Sequence, residues 1–348
     1  MAEDLATRVV RWQQAFGRNN LPWQNTRDPY RVWLSEIMLQ QTQVATVMDY
    51  YNRFLARFAD VGALAAADLD DVLALWSGLG YYNRARNLHQ CAVRIVAQHG
   101  GAFPRSAEVL QSLPGIGRST AAAIASVCFG ERVAILDGNV KRVLTRVLAF
   151  DADLAVAINT RALWEQAEKL LPVKDLNRTM PRYTQGVMDL GATVCTTRNP
   201  ACTTCPLAPV CAANRQGTQL QFPVKSKKLK RSAQTIWMLW AQARDGSVWV
   251  SKRPTPGVWA GLYCFPLFDD FAGLEAAVPP RYRATLEAGS VVHHVLTHKD
   301  LYLHPVRVEL PASSMKEAYG VWLRPDQLSS TGLPAPVRKM LTSQPDSA

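Results

Sequence analysis

A glycine-punctuated turn between two helical segments constrains the fold more than any other part of the chain. The turn reads Leu113-Pro114-Gly115-Ile116-Gly117. Ser106 can cap a short helix before it, the proline and first glycine end that helix, and an apolar helical run follows from 119 to 129. Both glycines permit backbone angles that residues with a Cβ resist. The pattern predicts a helix-hairpin-helix over residues 107–129.

The amides of this turn predict a phosphate site. The N–H groups near Gly115 and Gly117 lie next to the start of the second helix, where they add to the positive end of its dipole. A plain turn between helices is the alternative, because a single Gly-x-Gly pattern is weak without context. The choice between the two depends on the rest of the chain.

The charge of the chain indicates a polyanionic partner. The 348 residues carry a formal net charge of +11, and 48% of them are apolar, enough for a large core and two domains. No acidic residue lies between Asp189 and Asp245, whereas eight lysines and arginines do. A basic excess of this kind is typical of proteins that bind nucleic acid.

The sequence does not predict a membrane segment. The longest apolar run, from 121 to 129, is about half of what a bilayer span needs. Glu3 and Asp4 stand where an export signal would have basic residues. We therefore expect a cytoplasmic, nucleoid-associated protein of the bacterial type without a membrane partner.

Periodicity divides the chain into two domains. Helical patterns fill the first two-thirds and predict an all-α domain over 1–214, and a basic stretch without periodicity predicts a linker over 215–232. Strand patterns follow, beginning with a hairpin over 235–252 whose Asp245-Gly246 pair predicts a type I′ turn. Residues 233–348 are therefore predicted to form an α+β domain, with strands to 319–323 and a terminal helix.

Four of the seven cysteines lie close together in the sequence, over residues 195–211. Cys195, Cys202, Cys205 and Cys211 are separated by six, two and five residues. An unexported chain is not expected to hold structural disulfides, so these thiols predict a metal site. Zinc and an iron–sulfur cluster both accept four thiolates, and spacing alone does not choose between them.

Two carboxylates are candidates for acid–base chemistry. Glu36 falls outside the core stripe of a helix that Asp28-Pro29 begins, together with Gln40, and could face a cleft or simply solvent. Asp137 precedes a helix near Val140, where it could act in catalysis or only as a helix N-cap.

Aromatic residues in two loops suggest contacts with DNA bases. Trp23 lies in a polar loop, where a flat ring could anchor packing or line a pocket for an extruded base. The loop 78–82 contains two glycines followed by Tyr81 and Tyr82, and could insert into a base stack or pack on the core.

Together these motifs resemble a known family. The helix-hairpin-helix, Asp137 and the C-x6-C-x2-C-x5-C loop resemble the endonuclease III superfamily of DNA glycosylases, in which that loop holds a [4Fe–4S] cluster. Four segments are similar to adenine DNA glycosylases of the MutY type: 21–23, 35–44, 80–82 and 136–140. The part after residue 233 is similar to their Nudix-like domain.

The resemblance implies a function and a set of site residues. It implies a monomer that removes adenine mispaired with 8-oxoguanine or guanine in double-stranded DNA and leaves an abasic site. Glu36 would protonate N7 of adenine, Asp137 would face C1′ of the sugar, and Asn139 would support Asp137. Other residues would line the adenine pocket (Trp23, Val44, Gln185, Ser119) or contact DNA (Leu39, Gln41, Thr42, Tyr81, Gly115, Gly117, Leu296, Thr297, His298).

Two departures from the family pattern leave alternatives open. Ser119 stands where many members have tyrosine, and Leu296-Thr297-His298 stands where they have Phe-Ser-His. The Nudix-like domain also lacks the acidic REXXEE box, so it is expected to bind nucleotides without hydrolysing diphosphates. An endonuclease III-like pyrimidine glycosylase with lyase activity would need a lysine in place of Ser119. A non-catalytic iron–sulfur scaffold would not need Glu36 and Asp137 together.

Overall fold

Helices form nearly all of the regular structure up to residue 216. The structure is a computed structural model, and it describes residues 4–226, 231–315 and 320–342. The helices are α1 (Leu5–Phe16), α2 (Pro29–Leu39), α3 (Val44–Arg57), α4 (Val61–Ala65), α5 (Leu69–Trp76), α6 (Asn83–His99), α7 (Ala107–Gln111), α8 (Arg118–Phe129), α9 (Gly138–Leu148), α10 (Ala157–Lys169), α11 (Leu176–Thr193) and α12 (Ala212–Gln216). Within the described residues, no helix is long and apolar enough to span a membrane.

Helix α11 begins earlier than the sequence pattern indicates. Helical periodicity in the sequence runs from Tyr183 to Val194, after Pro181, and predicts a helix over that range. The helix in fact begins at Leu176 and runs through the proline. Met180 and Tyr183, on either side of the proline, are both buried. Burial of this face outweighs the local penalty that proline imposes inside a helix.

The helix-hairpin-helix is confirmed, with one correction. Helix α7, capped by the Ser106 hydroxyl, leads through the turn into α8. Gly115 has a φ of +74°, which favours glycine. Gly117 does not use the backbone freedom expected of it, because its φ of −83° and ψ of 171° are extended angles that any residue adopts. A Cβ at Gly117 would also meet nothing within 4 Å. Its contact with phosphate stays a prediction.

The chain after residue 231 forms a mixed sheet, as the α+β prediction required. Its strands are β1 (Ser232–Gln242), β2 (Val248–Lys252), β3 (Tyr263–Cys264), β4 (Leu267–Phe268), β5 (Glu287–Ala288), β6 (Val292–Val295), β7 (Lys299–Glu309) and β8 (Val321–Leu323). The order across the sheet is β3-β2-β1-β7-β5, and β1 and β7 are parallel from Ser232↔Lys299 to Gln242↔Glu309. Two helices complete this part: α13 (Phe271–Ala277) and α14 (Ala335–Thr342).

The β1–β2 hairpin is confirmed, but its turn is not type I′. The Ala243 N–H donates to the Ser247 carbonyl at 2.8 Å, and the Gly246 N–H donates to the Ala243 carbonyl at 3.0 Å. Gly246 has a φ of +82°, whereas Asp245 does not share the positive φ that a type I′ turn needs at both central positions. The bonds instead match a three-residue loop, a type I turn followed by glycine in the left-handed region.

The structure forms two compact units, and their boundaries differ from the domain boundaries predicted at residues 214 and 233. One unit contains residues 1–65 and 90–227, and the other contains 66–89 and 228–348. The segment 66–89, which includes α5 and the loop 78–82, thus belongs to the second unit. Only tertiary contacts reveal this, because its sequence is as helical as its neighbours.

Residues 222–224 of the predicted linker over 215–232 pack against the first unit. Phe222 is buried, and the Leu154 N–H donates to the Val224 carbonyl at 3.0 Å. Ser232 is already in β1. The basic residues Lys227, Lys228 and Lys230 lie outside the described residues, as does Tyr319 of the last predicted strand.

Candidate active site

Glu36 occupies a position in α2 where its acid form is favoured. The Asp28 carboxylate caps α2 by accepting from the Tyr30 N–H at 2.9 Å, and Trp33, Leu34, Ile37 and Met38 face the core. Glu36 itself is half-buried. Burial, and then the negative charge of Asp137, raise the pKa of Glu36 to about 7. This environment contradicts the alternative of a simply solvated side chain.

Asp137 is the N-cap of α9. Its Oδ1 accepts from the Val140 N–H at 2.7 Å. Burial raises the pKa of Asp137, and this is opposed by the N–H groups of Val140 and Asn139 and by the charges of Arg142 and Lys141. The N-cap interpretation is therefore correct, and it is compatible with a catalytic role because the charge of Asp137 also acts on Glu36.

Asn139 lies where α9 and α11 approach each other closely. A Cβ on Gly191 would come within 2.6 Å of the Asn139 Cβ and 2.9 Å of its carbonyl oxygen. Arg142 donates to Asn139 Oδ1 at 2.8 Å and, through Nε, to the Cys195 carbonyl at 2.8 Å. The glycine therefore permits a contact that fixes Asn139 beside Asp137.

The four residues predicted to line an adenine pocket are distributed over four elements. Trp23 is 5% exposed and packs edge-on against Tyr51, with ring centroids 5.2 Å apart. Val44 begins α3, Ser119 lies in the first turn of α8, and Gln185 lies in the middle of α11; all three are half-buried. Trp23 is thus a packing anchor, and its place in a base pocket stays a prediction.

Asp189 is a residue that sequence reasoning missed. It is fully buried in α11, and Arg18 binds it through its backbone N–H at 3.1 Å, Nε at 2.7 Å and Nη2 at 2.6 Å. Gln24 and Gln185 also donate to its carboxylate, at 3.3 Å and 3.2 Å. Asp189 thereby joins the Trp23 loop to Gln185. The available signal was an aspartate at an apolar position of α11, between Met188 and Leu190.

We expect Asp189→Asn to destabilise the protein by about 1–3 kcal/mol, because the buried donors around it would lose a charged acceptor. The matched control is Asp175→Asn, which loses an exposed ion pair with Arg178 of 2.7 Å. That control should change the unfolding free energy by no more than about 0.5 kcal/mol. Denaturant unfolding measures both, and equal effects would contradict a structural role for Asp189.

Four of the residues predicted to contact DNA, which are Leu39, Gln41, Thr42 and Tyr81, lie in two loops and at a helix end. Leu39 ends α2, and Gln41 and Thr42 follow it. Gln41 is exposed and has a φ of +57°, and Tyr81, 43% exposed, has a φ of +50°. Such left-handed angles are costly for residues with a Cβ and persist where surrounding structure imposes them, often at functional sites.

Leu296, Thr297 and His298 form the turn between β6 and β7 in the second unit. The Leu296 N–H donates to the Lys299 carbonyl at 2.8 Å, and Arg231 Nη1 donates to the Thr297 carbonyl at 3.0 Å. Thr297 and His298 are exposed. The Thr297 hydroxyl is hydrogen-bonded to the Tyr81 hydroxyl of the same unit. The structure thus brings together two predicted DNA contacts that are distant in sequence.

The four cysteines of the 195–211 loop line a single cavity. Arg146, only 2% exposed, donates from Nη1 to Cys195 Sγ at 3.2 Å. Burial raises the pKa of Cys205 to about 11, and the charges of the other three thiols act in the same direction. Among the described residues, no three Cys, His, Asp or Glu side chains are arranged to hold one metal ion.

The helix-hairpin-helix and the paired carboxylates indicate a base-excision DNA glycosylase, and comparisons with known proteins identify the family. Residues 34–169 match the HhH-GPD superfamily of base excision DNA repair proteins, and residues 237–343 match the NUDIX domain. The chain is 35% identical to the adenine DNA glycosylase of Buchnera aphidicola subsp. Baizongia pistaciae (strain Bp), over 96% of this chain and 95% of that protein.

Solved structures share the helical fold of the first two-thirds of the chain. A thermostable thymine-DNA glycosylase matches with a TM-score of 0.52 and 27% identity, over 61% of this chain and 95% of that one. An endonuclease III in a DNA complex, 20% identical, shares the fold with a TM-score of 0.50, over 62% and 95%. The chain belongs to the adenine DNA glycosylase family. It is a DNA-binding hydrolase that acts on N-glycosyl bonds, which confirms the resemblance seen in the sequence.

Proposed function

We propose that the protein removes adenine mispaired with 8-oxoguanine or guanine in double-stranded DNA, as a monomer. The observation that carries this proposal is the pairing of Glu36, half-buried in α2, with Asp137 at the start of α9. Burial and the charge of Asp137 raise the pKa of Glu36 to about 7. Adenine is a poor leaving group unless it is protonated, so excision requires a carboxyl group that still carries its proton near neutral pH. Glu36 meets this requirement.

The two carboxyl groups would have different roles in the same reaction. Glu36 gives its proton to N7 of adenine as the bond between N9 and C1′ breaks, and that bond's electrons leave with the base. Asp137, as a carboxylate, stabilises the positive charge that develops on the sugar, with Asn139 beside it. Water then adds to C1′ and loses a proton, which leaves an abasic site and an intact DNA strand.

The second unit would read the base opposite adenine. 8-Oxoguanine differs from guanine by the O8 atom and by a proton on N7, so a few polar groups can distinguish the two bases. Thr297 and His298 are exposed at the β6–β7 turn and offer a hydroxyl and an imidazole. Leu296 cannot supply the aromatic contact of the family's usual phenylalanine.

The cysteine loop would hold a [4Fe–4S] cluster, as its resemblance to the endonuclease III superfamily implies. In a cluster of this kind each thiolate binds a different iron atom, so four sulfurs are needed around it. The four cysteines and Arg146 line one cavity. A bound cluster would supply four metal–thiolate bonds that tie the parts of the 195–211 loop to one another, next to Arg146 of α9.

We expect the purified protein to be brown and to contain iron and sulfide. Cys202→Ser should lower the iron content and the unfolding temperature, because one ligand of the cluster is lost. Cys264→Ser in the second unit is the control and should leave the iron content unchanged. Elemental analysis decides the question, and zinc in place of iron and sulfide would contradict the assignment.

The proposed specificity is tested with duplexes that differ in one base pair. Incubation with A:8-oxoG and A:G duplexes, followed by alkaline cleavage, should reveal abasic sites opposite 8-oxoguanine and guanine. An A:T duplex is the control and should remain uncut. Cleavage without alkali, or excision of an oxidised pyrimidine in preference to adenine, would favour the lyase alternative.

A further inference from the structure

The loop that presents Tyr81 is held at its base by the C-terminal helix α14. Ser77, the C-cap of α5, donates from its hydroxyl to the Leu333 carbonyl at 2.7 Å. Arg338 of α14 donates from Nη2 to the same hydroxyl at 3.1 Å. These residues all belong to the second unit.

Arg338 is itself fixed by two other hydrogen bonds. Its guanidinium donates to the Thr331 carbonyl at 2.9 Å and to the Leu328 carbonyl at 3.2 Å, and the side chain is half-buried. The planar guanidinium group can hold several acceptors in fixed directions at once. Arg338 therefore joins the segment 328–331 to Ser77 in a defined geometry, which we call the Ser77–Arg338 clamp.

The loop beyond the clamp is internally rigid. Trp76 Nε1 donates to the Gly80 carbonyl at 3.1 Å, and the Gly78 N–H donates to the Tyr82 hydroxyl at 3.1 Å. The Arg84 guanidinium lies 5.3 Å from the Tyr81 ring. A displacement at Ser77 would therefore move the loop as a body, and the exposed Tyr81 ring with it.

We propose that Ser77 and Arg338 are positioning residues for recognition of the base opposite adenine, because they set where Tyr81 lies relative to the 296–298 turn. This inference rests on the proposed function, in which Tyr81 contacts DNA. The C-terminal helix thereby acts on specificity although it contains no residue predicted to touch DNA.

The test compares single-turnover excision from A:8-oxoG and A:G duplexes. Arg338→Ala and Ser77→Ala both remove the hydrogen bond between the two residues. Each should lower the preference for 8-oxoguanine roughly two- to tenfold, the size of effect that one such hydrogen bond typically has. Ser77→Thr keeps the hydroxyl and should retain the preference. Lys339→Ala removes an exposed charge from the same helix and is the control, with no expected change.

A merely structural role would slow excision from both duplexes equally, and that result in a folded Arg338→Ala variant would overturn the inference. Tyr81→Ala distinguishes the inference from the function on which it rests. If Tyr81→Ala leaves the preference unchanged, the proposed role of Tyr81 fails, and the clamp's role with it. If Tyr81→Ala lowers it, Arg338→Ala should add nothing in the double variant, and additive losses would overturn the role of the clamp alone.

Discussion

Glu36→Gln should bind DNA with an A:8-oxoG pair and fail to excise the adenine. The amide is nearly the same size as the carboxylic acid but cannot donate a catalytic proton, and general acid catalysis is typically worth roughly 10²- to 10⁴-fold in rate. Single-turnover excision measures the loss, and an electrophoretic binding assay shows whether the complex still forms. An excision rate close to that of the unchanged protein would remove Glu36 from the mechanism.

The pH dependence of the excision rate should reflect the titration of Glu36. Because the acid form of Glu36 is active and its pKa is about 7, the rate should be highest below pH 7 and fall as the pH rises through that value. Glu36→Gln should lose this descending limb. The control for the assay is DNA binding, which should follow a different pH profile because phosphate contacts do not depend on Glu36.

The contribution of Glu36 to the free energy of unfolding should decrease as the pH rises. The folded pKa of about 7 lies above the unfolded value of 4.5, so the folded state holds the proton more tightly. The contribution of this group to stability is therefore complete below about pH 4.5 and is lost as the pH rises through about 7. Glu36→Gln should reduce that pH dependence, with denaturant unfolding as the measurement.

The second large effect is expected for Asp137→Asn. Asparagine is about as good an N-cap as aspartate, so the bond to the Val140 N–H and the start of α9 should be preserved. The negative charge, however, would be lost, and excision should fall by roughly 10²- to 10³-fold if that charge stabilises the developing cation on the sugar. The pKa of Glu36 should also fall, since the charge of Asp137 raises it.

Asp137→Ala is the matched variant that separates the cap from the charge. Its excision rate should fall by the same factor as that of Asp137→Asn. Its unfolding free energy should also fall by about 0.5–2 kcal/mol, the usual contribution of a capping side chain. Normal excision by Asp137→Asn together with impaired folding of Asp137→Ala would show that Asp137 is only a helix cap.

The sequence alone determined the local structure of most of the first unit. Asp28-Pro29, Ser106 and Asp137 begin helices because their side chains satisfy the N–H groups that a helix start leaves open. These signals depend only on neighbours in sequence. The helical periodicity from Leu5 to Phe16 likewise coincides with the bounds of α1. The motifs also resemble those of the family to which the comparisons assign the chain.

Only the tertiary structure determined the pKa values of the site residues and the contacts between residues that are distant in sequence. The sequence could not show that Glu36 is desolvated beside Asp137, because 101 positions separate the two residues and the pKa depends on surroundings from several elements. The same holds for Asp189, whose donors Arg18 and Gln24 come from the far end of the chain. Membership of residues 66–89 in the second unit, and the clamp that holds Tyr81, likewise follow from contacts that only folding creates.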